Sequence, residues 1–145
     1  MTNCIFCEIV KGNAPSSKVY EDDTCAAFMD IQPVNPGHVL VVPKQHFTDL
    51  NDLSPHIGGH LFQIAQRIAL SLPSTNVKNE GIDLFLAHRE AAGQEVFHVH
   101  LHVIPRYRGD GFGFKFGPNY RSLPERNELD AIATQIKQQM GKKRL

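Results

Sequence analysis

The sequence has no tryptophan, only three cysteines and no excess of charge, with 15 basic and 15 acidic residues in 145. This balance gives no bulk electrostatic reason for the chain to bind nucleic acid or an anionic membrane. So few cysteines, and an odd number of them, argue against a disulfide-rich scaffold. No apolar run approaches the roughly 18 residues of a membrane span, and the polar start lacks the apolar core of a signal peptide. We therefore expect a cytoplasmic protein that neither enters a membrane nor acts mainly on nucleic acid.

Composition and length indicate one folded domain. Hydrophobic residues make up 41% of the chain and charged residues 21%, both ordinary for a globular protein, which excludes a disordered or low-complexity chain. Domains cluster near roughly 100–150 residues, so we predict a single domain over residues 1–145.

The pattern of apolar residues favours an antiparallel α+β fold. Ser54 and Pro55 are typical of a helix start, and apolar residues follow at helical spacing to about Leu72. A second helix is predicted over about 125–140. Short strands, joined as in hairpins, are predicted over 18–20, 24–29, 38–42, 82–87 and 97–104. We predict a sheet of approximately five antiparallel strands with two helices.

Three histidines alternate with apolar residues in the last of these strands. Alternate side chains of a strand share a face, so His98, His100 and His102 line up about 6.5–7 Å apart. Two kinds of chemistry fit such a row. All three imidazoles could bind one catalytic metal ion, or one could be a nucleophile while the others hold metal or phosphate. Ala92-Gly93-Gln94 precedes the strand and offers backbone amides of the kind that bind phosphate.

The run His98-Val-His-Leu-His-Val-Ile104 resembles the signature of the histidine triad (HIT) family. Further likeness lies in residues 5–10, 28–31, 36–44 and 92–94, so the resemblance covers roughly residues 4–110. The order and spacing of these motifs resemble the histidine triad nucleotide-binding branch, particularly its small bacterial-type members. The resemblance implies a HIT-like fold that forms homodimers by joining two sheets edge to edge.

The resemblance also implies an enzyme that cuts nucleotides at the α-phosphorus, with nucleoside phosphoramidates or related AMP-containing nucleotidyl compounds as substrates. His100 would attack phosphorus to form a covalent nucleotidyl-histidine that water then hydrolyses. His102 and His38 would neutralise the non-bridging oxygens, helped by the backbone amides of Gln94 and Glu95.

The resemblance further implies a nucleoside pocket near the start of the chain. Its apolar lining would come from Phe6, Ile9, Phe28 and Ile31. The Asp30 carboxylate would accept hydrogen bonds from the ribose hydroxyls, and its position between apolar residues suits a polar group at the edge of an apolar slot.

Cys4-x-x-Cys7 is typical of a metal site, but tetrahedral zinc needs two more ligands. By resemblance to bacterial-type family members, these would be His46 and His98. The zinc would be structural and would leave His100 free, and no organic cofactor is implied. A redox role is disfavoured because no βαβ unit surrounds the cysteines.

One stretch departs from the family pattern. Ala87 stands where relatives usually carry Asn or Gln, and His88-Arg89 stands where a turn with Gly is usual. The missing amide favours one alternative function, a purine-nucleotide-binding protein with little turnover. Two others stay open: hydrolysis of dinucleoside polyphosphates by the same chemistry, and a zinc hydrolase with its metal on all three triad histidines.

Overall fold

The computed structural model describes residues 3–142, which divide between Gly111 and Phe112 into two compact units. None of the helices in the described part of the chain is long and apolar enough to cross a membrane.

The first unit is built on a five-stranded antiparallel sheet of order β1-β2-β3-β5-β4. The strands are β1 Lys18–Glu21, β2 Cys25–Met29, β3 Val39–Pro43, β4 Gly81–Phe85 and β5 Leu101–Arg106. The helices of the described chain are α1 Ile5–Lys11, α2 Pro55–Ser71 and α3 Arg126–Lys142. The prediction of a five-stranded antiparallel α+β fold is therefore confirmed, whereas the prediction of two helices is wrong, because residues 3–142 form three α-helices.

The additional helix is α1, which begins directly after Cys4. It has only seven residues, too few for the helical repeat of apolar residues to stand out in the sequence. Phe6 and Ile9, three positions apart, are its buried residues. Gly12 ends the helix with a φ of 81°, a left-handed conformation that glycine adopts without steric cost.

The two faces of the sheet are covered by different helices. On one face, Val99, Leu101 and Val103 pack with the apolar stripe of α2, which includes Leu61 and Ile64. On the other face, the short α1 covers a smaller apolar cluster of residues from β2, β3 and α1 itself: Phe6, Ile9, Ala26, Phe28, Leu40 and Val42. The even-numbered residues of the triad segment point toward this second face, as strand alternation requires.

The triad segment is extended, but it is not a strand throughout. Sequence alternation predicted a strand from residue 97, whereas β5 begins at Leu101. The reason is a change of backbone partner, because the N–H of Val99 donates to the carbonyl of Phe47 in a loop, at 2.8 Å. His98 and His100 therefore precede the ladder, and only His102 lies within it.

The second unit carries α3, whose bounds agree with the helix expected near the end of the chain. The rings of Phe116 and Tyr120 stack with centroids 3.8 Å apart. The apolar side chains of the helix are exposed: Leu129, Ile132, Ile136 and Met140.

Candidate active site and metal centre

The three triad histidines lie on the α1 face of the sheet. The ring of Phe6 packs edge-on against both His98 and His100, with centroids 5.9 Å and 5.2 Å away. The rings of His100 and His102 are 4.9 Å apart. His98 is fully buried and His100 is 7% exposed, so these imidazoles are held by packing rather than displayed to solvent.

Hydrogen bonding fixes which nitrogen of His100 carries the proton. Its Nδ1 lies 2.8 Å from the carbonyl oxygen of His98. A carbonyl only accepts, so Nδ1 must donate, and in the neutral ring Nε2 keeps an unshared pair. Burial lowers the pKa of His100, and the bond to the His98 carbonyl opposes this only in part. His100 is thus a neutral imidazole with an unshared pair on Nε2.

His38 and His102 form a second, linked pair. The backbone N–H of Val34 donates to Nδ1 of His38 at 3.0 Å, which leaves the proton of that ring on Nε2. That Nε2 lies 2.8 Å from Nδ1 of His102 and donates to it. Burial, followed by the neighbouring His100 and His38, lowers the pKa of His102 to about 4. The neutral His102 ring therefore carries its proton on Nε2, where it can donate to an anionic oxygen.

Asp30 lies beside this pair. Its Oδ2 is 3.6 Å from Nε2 of His38, and its backbone N–H donates to the His38 carbonyl at 3.0 Å. Its other oxygen, Oδ1, accepts the backbone N–H of Gln32 at 2.8 Å. The carboxylate is thus held at the edge of the α1 face, close to the histidines.

Three of the four apolar residues predicted for a nucleoside pocket come together. Phe6, Ile9 and Phe28 belong to one cluster on the α1 face, and the rings of Phe6 and Phe28 meet edge-on with centroids 5.5 Å apart. Ile31 differs, because it is 97% exposed.

Gln94 is buried, and its side chain holds the backbone. Its Oε1 accepts the N–H of Arg89 at 2.7 Å, and its Nε2 donates to the carbonyls of Thr48 and Val96 at 2.7 and 3.2 Å. Its own N–H donates to the Arg89 carbonyl at 3.1 Å. Glu95, which follows, is exposed. The structure thus gives Gln94 a role in fixing the turn before the triad.

Four side chains predicted to bind metal form a compact cluster. Nδ1 of His98 lies 3.4 Å from Sγ of Cys4 and 3.5 Å from Sγ of Cys7, and Nδ1 of His46 lies 3.3 Å from Sγ of Cys7. All four ligand atoms lie within 4.8 Å of one another. Zn–S bonds of about 2.3 Å and Zn–N bonds of about 2.0–2.1 Å would separate tetrahedral S and N ligands by about 3.5 Å. The spacing and the chemistry of the donors therefore fit zinc.

The hydrogen bond of the second ring nitrogen of His98, Nε2, orients the ring toward the metal cluster. Its Nε2 donates to the carbonyl of Pro43 at 2.8 Å, which leaves Nδ1 as the lone-pair nitrogen facing the cysteines. His98 is thereby turned toward the cysteines, while His102 lies with Asp30 and His38. Among the described residues, the three triad histidines do not meet in one cluster of possible ligands, which removes the basis for a catalytic metal shared by all three.

The stretch that departs from the family pattern is strained at one residue. Arg89 has φ 71° and ψ 167°, the conformation of a glycine, and it is the one non-glycine residue with positive φ between residues 3 and 142. Its side chain is 65% exposed and pairs with Asp49 at 3.4 Å.

Nδ1 of the neighbouring His88 accepts the N–H of Leu50 at 3.2 Å. Ala87 is buried, and continuing the β4–β5 register by two residues would set it opposite His100.

A buried polar network beside His38 was not predicted from the sequence. Asn35 is 4% exposed, and its Nδ2 donates to the Pro105 carbonyl at 2.9 Å and to Asp110 Oδ2 at 2.8 Å. The signal in the sequence is the Asn35-Pro-Gly-His38 turn, in which an amide could have been expected to bond to the backbone. Its partner is 75 positions away, beyond the reach of any local pattern.

The chain matches the HIT domain over residues 11–109. The protein Hit of Bacillus subtilis is 43% identical over 112 residues, covering 77% of each chain. Adenylylsulfatase HINT3 of Arabidopsis thaliana is 36% identical over 111 residues, which are 74% of this chain and 54% of the plant protein. The residues matched by the HIT domain include the triad segment and the turn before it.

Solved structures agree with the sequence comparisons. A HIT family protein from Bacillus anthracis superposes with a TM-score of 0.85 at 40% identity, covering 94% of this chain and 96% of the other. A zinc-bound histidine triad protein from Mycobacterium smegmatis does so with a TM-score of 0.74 at 36% identity, with the same coverage. That relative and the cluster around His98 together suggest zinc. By domain match, sequence and fold, the chain belongs to the HIT family, which includes nucleotide-binding proteins and hydrolases.

Proposed function

We propose that this protein hydrolyses or transfers nucleotidyl groups at the α-phosphorus through a covalent bond to Nε2 of His100. The observation that carries the proposal is the 2.8 Å hydrogen bond from His100 Nδ1 to the His98 carbonyl. This bond holds the ring in the tautomer whose Nε2 has an unshared pair. A buried neutral imidazole is nucleophilic near pH 7 without first losing a proton.

The reaction takes place in two steps. In the first, the pair on Nε2 forms a bond to the α-phosphorus as the bond from phosphorus to the leaving nitrogen or oxygen breaks, and the leaving group takes a proton from solvent. In the second, water attacks the same phosphorus, gives up a proton and breaks the P–Nε2 bond. The product is a nucleoside monophosphate, and His100 returns to its starting form.

The other groups on the α1 face serve binding and charge. The Nε2–H of His102 would donate to a non-bridging oxygen and stabilise the charge that develops there. Asp30 would accept from the ribose hydroxyls, and Phe6 would contribute apolar surface beside the base or sugar. Glu95 would contribute its backbone N–H, and Ile31 can line the pocket only if the bound nucleoside covers its exposed side chain. One relative is an adenylylsulfatase, which supports an adenylyl group as the unit transferred.

The decisive experiment measures AMP release from adenosine 5′-phosphoramidate by the wild type and by His100→Ala. We expect turnover by the wild type and a loss of about three orders of magnitude or more in the variant, as for other lost nucleophiles. His56→Ala is the matched control, because His56 is an exposed histidine of α2. Rapid quenching and peptide mass spectrometry should locate the nucleotidyl adduct on the peptide containing His100. An adduct elsewhere, or full activity of His100→Ala, would refute the proposal.

A second candidate, a nucleotide-binding protein with little turnover, is favoured by Ala87. A site that lacks one preorganised donor loses on the order of 3 kcal/mol of transition-state stabilisation in comparable oxyanion sites. The same assay distinguishes the two: AMP binding measured by calorimetry, with no AMP release, would favour this candidate. Diadenosine polyphosphates belong in the assay because the same chemistry would cleave them.

We propose that zinc is structural in this protein. The cluster joins the start of α1, through Cys4 and Cys7, to the loop at His46 and to the triad segment at His98. Four protein ligands fill a tetrahedral shell and leave no open position for a substrate, as in structural zinc sites. The metal, when bound, would tie the start of the chain to the triad segment and stabilise the fold, while leaving His100 free.

We also propose that the protein is a homodimer. Strand β4 lies at one edge of the sheet, with Leu84 and Phe85 37% and 40% exposed. Edge strands that present unpaired backbone are ready to pair with another strand. Sedimentation equilibrium should give twice the chain mass of 16.2 kDa, and a concentration-independent mass of a single chain would refute the dimer.

A further inference from the structure

We propose that Asn35 and Asp110 are positioning residues, which hold the turn before β3 so that His38, and through it His102, keeps the required tautomer. This inference rests on the proposed function for its consequence in catalysis, but the tautomers themselves can be measured without activity. Its hydrogen bonds run through Asn35, Asp110 and Arg106, which are neither metal ligands nor the proposed nucleophile.

The starting point is the bond from the Val34 N–H to His38 Nδ1, at 3.0 Å. Neutral imidazole has two tautomers of similar energy, so a single backbone donor can decide between them. The donor must stay in place, because His38 could otherwise carry its proton on Nδ1. His102 would then lose the 2.8 Å bond that it accepts from His38 Nε2.

Asn35 is the residue that holds this turn. Its carbonyl accepts the N–H of His38 at 3.2 Å, which closes the turn from within. Its side chain secures the turn from outside, because both Nδ2 hydrogens are used, one on the Pro105 carbonyl and one on Asp110. At 4% exposure, this amide has little access to water as a substitute partner. Removing it would therefore release the turn from the end of β5.

Asp110 is held in place by Arg106. The guanidinium donates from Nε to Asp110 Oδ2 at 2.6 Å and from Nη2 to Oδ1 at 3.0 Å, a two-point contact that fixes the carboxylate plane. Nη1 of the same group donates to Asp83 of β4 at 2.6 Å. The network thus runs from the edge strand to the His38 turn, and its members are anchored at more than one point.

A buried amide could hold a turn for stability alone, so stability cannot test the inference. The distinguishing prediction concerns protons: the network should determine which nitrogen of His38 and His102 is protonated, and should affect kcat more than KM. A purely structural role would lower the melting temperature and leave the tautomers of the folded protein unchanged.

The test uses zinc-loaded protein labelled with ¹⁵N-histidine, in which long-range ¹H–¹⁵N correlations show whether each ring nitrogen carries a proton. In the wild type we expect both His38 and His102 to be protonated on Nε2. In Asn35→Ala we expect the His38 signals to move to values intermediate between the two tautomers. The matched control is Asn79→Ala, which removes an amide that donates to the Val77 carbonyl at 2.8 Å in another turn.

Kinetics on adenosine phosphoramidate complete the test. Asn35→Ala should lower kcat by about 10–100-fold with little change in KM, the cost of a displaced catalytic group. Asp110→Asn keeps the volume of the side chain, but only one of its two terminal atoms can accept a hydrogen bond. We therefore expect the same changes in tautomer and in kcat, to a smaller degree. If Asn35→Ala does not fold, the tautomers of His38 and His102 in Asp110→Asn and in the wild type test the proposal instead.

The outcomes separate the two proposals. A wild-type His38 protonated on Nδ1, or unchanged His38 tautomers in folded Asn35→Ala or Asp110→Asn, would overturn the positioning role even if the enzyme is active. The expected wild-type tautomers and their loss in the variants, in a protein that turns over none of the nucleotides tested, would support the positioning role and remove the proposed function.

Discussion

The Nε2 atom of His38 lies 2.8 Å from the Nδ1 atom of His102, and the Val34 N–H makes His38 the donor of this bond. The His38 ring is buried and the His102 ring is half-buried, and both must be neutral to sustain the bond in this direction. Burial, opposed by Asp30, lowers the pKa of His38, and burial together with the neighbouring imidazoles lowers that of His102 to about 4. The site therefore depends on imidazoles that resist protonation.

This relationship predicts a loss of stability in acid. The unfolded chain binds a proton at His102 near pH 6.5, whereas the folded protein does so only near pH 4. The contribution of His102 to the free energy of unfolding is therefore complete above about pH 6.5 and is lost as the pH falls toward 4. This difference between the pKa of His102 in the unfolded and folded chain corresponds to at most about 3 kcal/mol of the free energy of unfolding.

Urea unfolding between pH 7.5 and pH 4.5 measures this contribution. His102→Asn keeps an acceptor for His38 but has no titrating ring, so its stability should fall less steeply with pH than that of the wild type. His56→Asn, at an exposed position, should follow the wild-type slope. Parallel curves for His102→Asn and the wild type would contradict the argument.

The sequence predicted those parts of the site that rest on local pattern. Alternation placed His98, His100 and His102 on one face, and helical spacing identified the buried stripe of α2. Helix α1 was missed because seven residues make only two turns. The bond between Asn35 and Asp110 was not predictable because it joins residues 75 positions apart. The separation of His98, in the metal cluster, from His102, beside His38, was not predictable either, because it follows from loop contacts such as that of Val99 with Phe47.

Removing the metal should destabilise the protein before it affects the chemistry. Cys7→Ser should lose zinc measured by mass spectrometry, and its melting temperature should fall by about 10 °C, corresponding to about 3 kcal/mol. His100 does not belong to the cluster, so the folded variant should keep its turnover at low temperature. Cys25→Ala, outside the centre, is the control and should retain a full complement of zinc. Immediate loss of turnover on chelation, while the protein is still folded, would argue for a catalytic metal.

Asp22 holds the β1–β2 hairpin and joins it to α2. Its Oδ1 accepts the N–H groups of Thr24 and Cys25, both at 2.8 Å, and its Oδ2 accepts from Tyr20 at 2.8 Å and His60 at 2.6 Å. Burial opposes the charged form, but the bonds from these groups outweigh it and hold the pKa of Asp22 well below its usual range. Burial and the nearby carboxylate raise the pKa of Cys25 to about 12, so its thiol stays protonated.

We therefore predict that Asp22→Ala costs about 2–3 kcal/mol, because several donors lose one shared acceptor. Urea unfolding at pH 7 should show a lower midpoint with an unchanged slope. Asp23→Ala, at the exposed neighbouring position, should change stability by less than about 0.5 kcal/mol. Equal midpoints for the two variants would show that the four bonds contribute nothing net.

Arg89 stores backbone strain immediately before the turn that Gln94 holds. At φ 71° and ψ 167°, a residue with a Cβ costs about 1–3 kcal/mol, whereas glycine adopts this conformation freely. Glycine also loses about 0.5–1 kcal/mol of chain entropy on folding, and the exposed pair with Asp49 is worth at most about 1 kcal/mol. With strain of about 3 kcal/mol, its relief exceeds these losses by about 1 kcal/mol.

Arg89→Gly should therefore raise the stability by about 1 kcal/mol and the melting temperature by about 3 °C. Arg89→Ala is the control that isolates the cause, because it removes the guanidinium and keeps the strained Cβ. It should melt at or slightly below the wild-type temperature. If the glycine and alanine variants melt together, the strain at this position is no larger than the entropy cost of glycine, and the prediction fails.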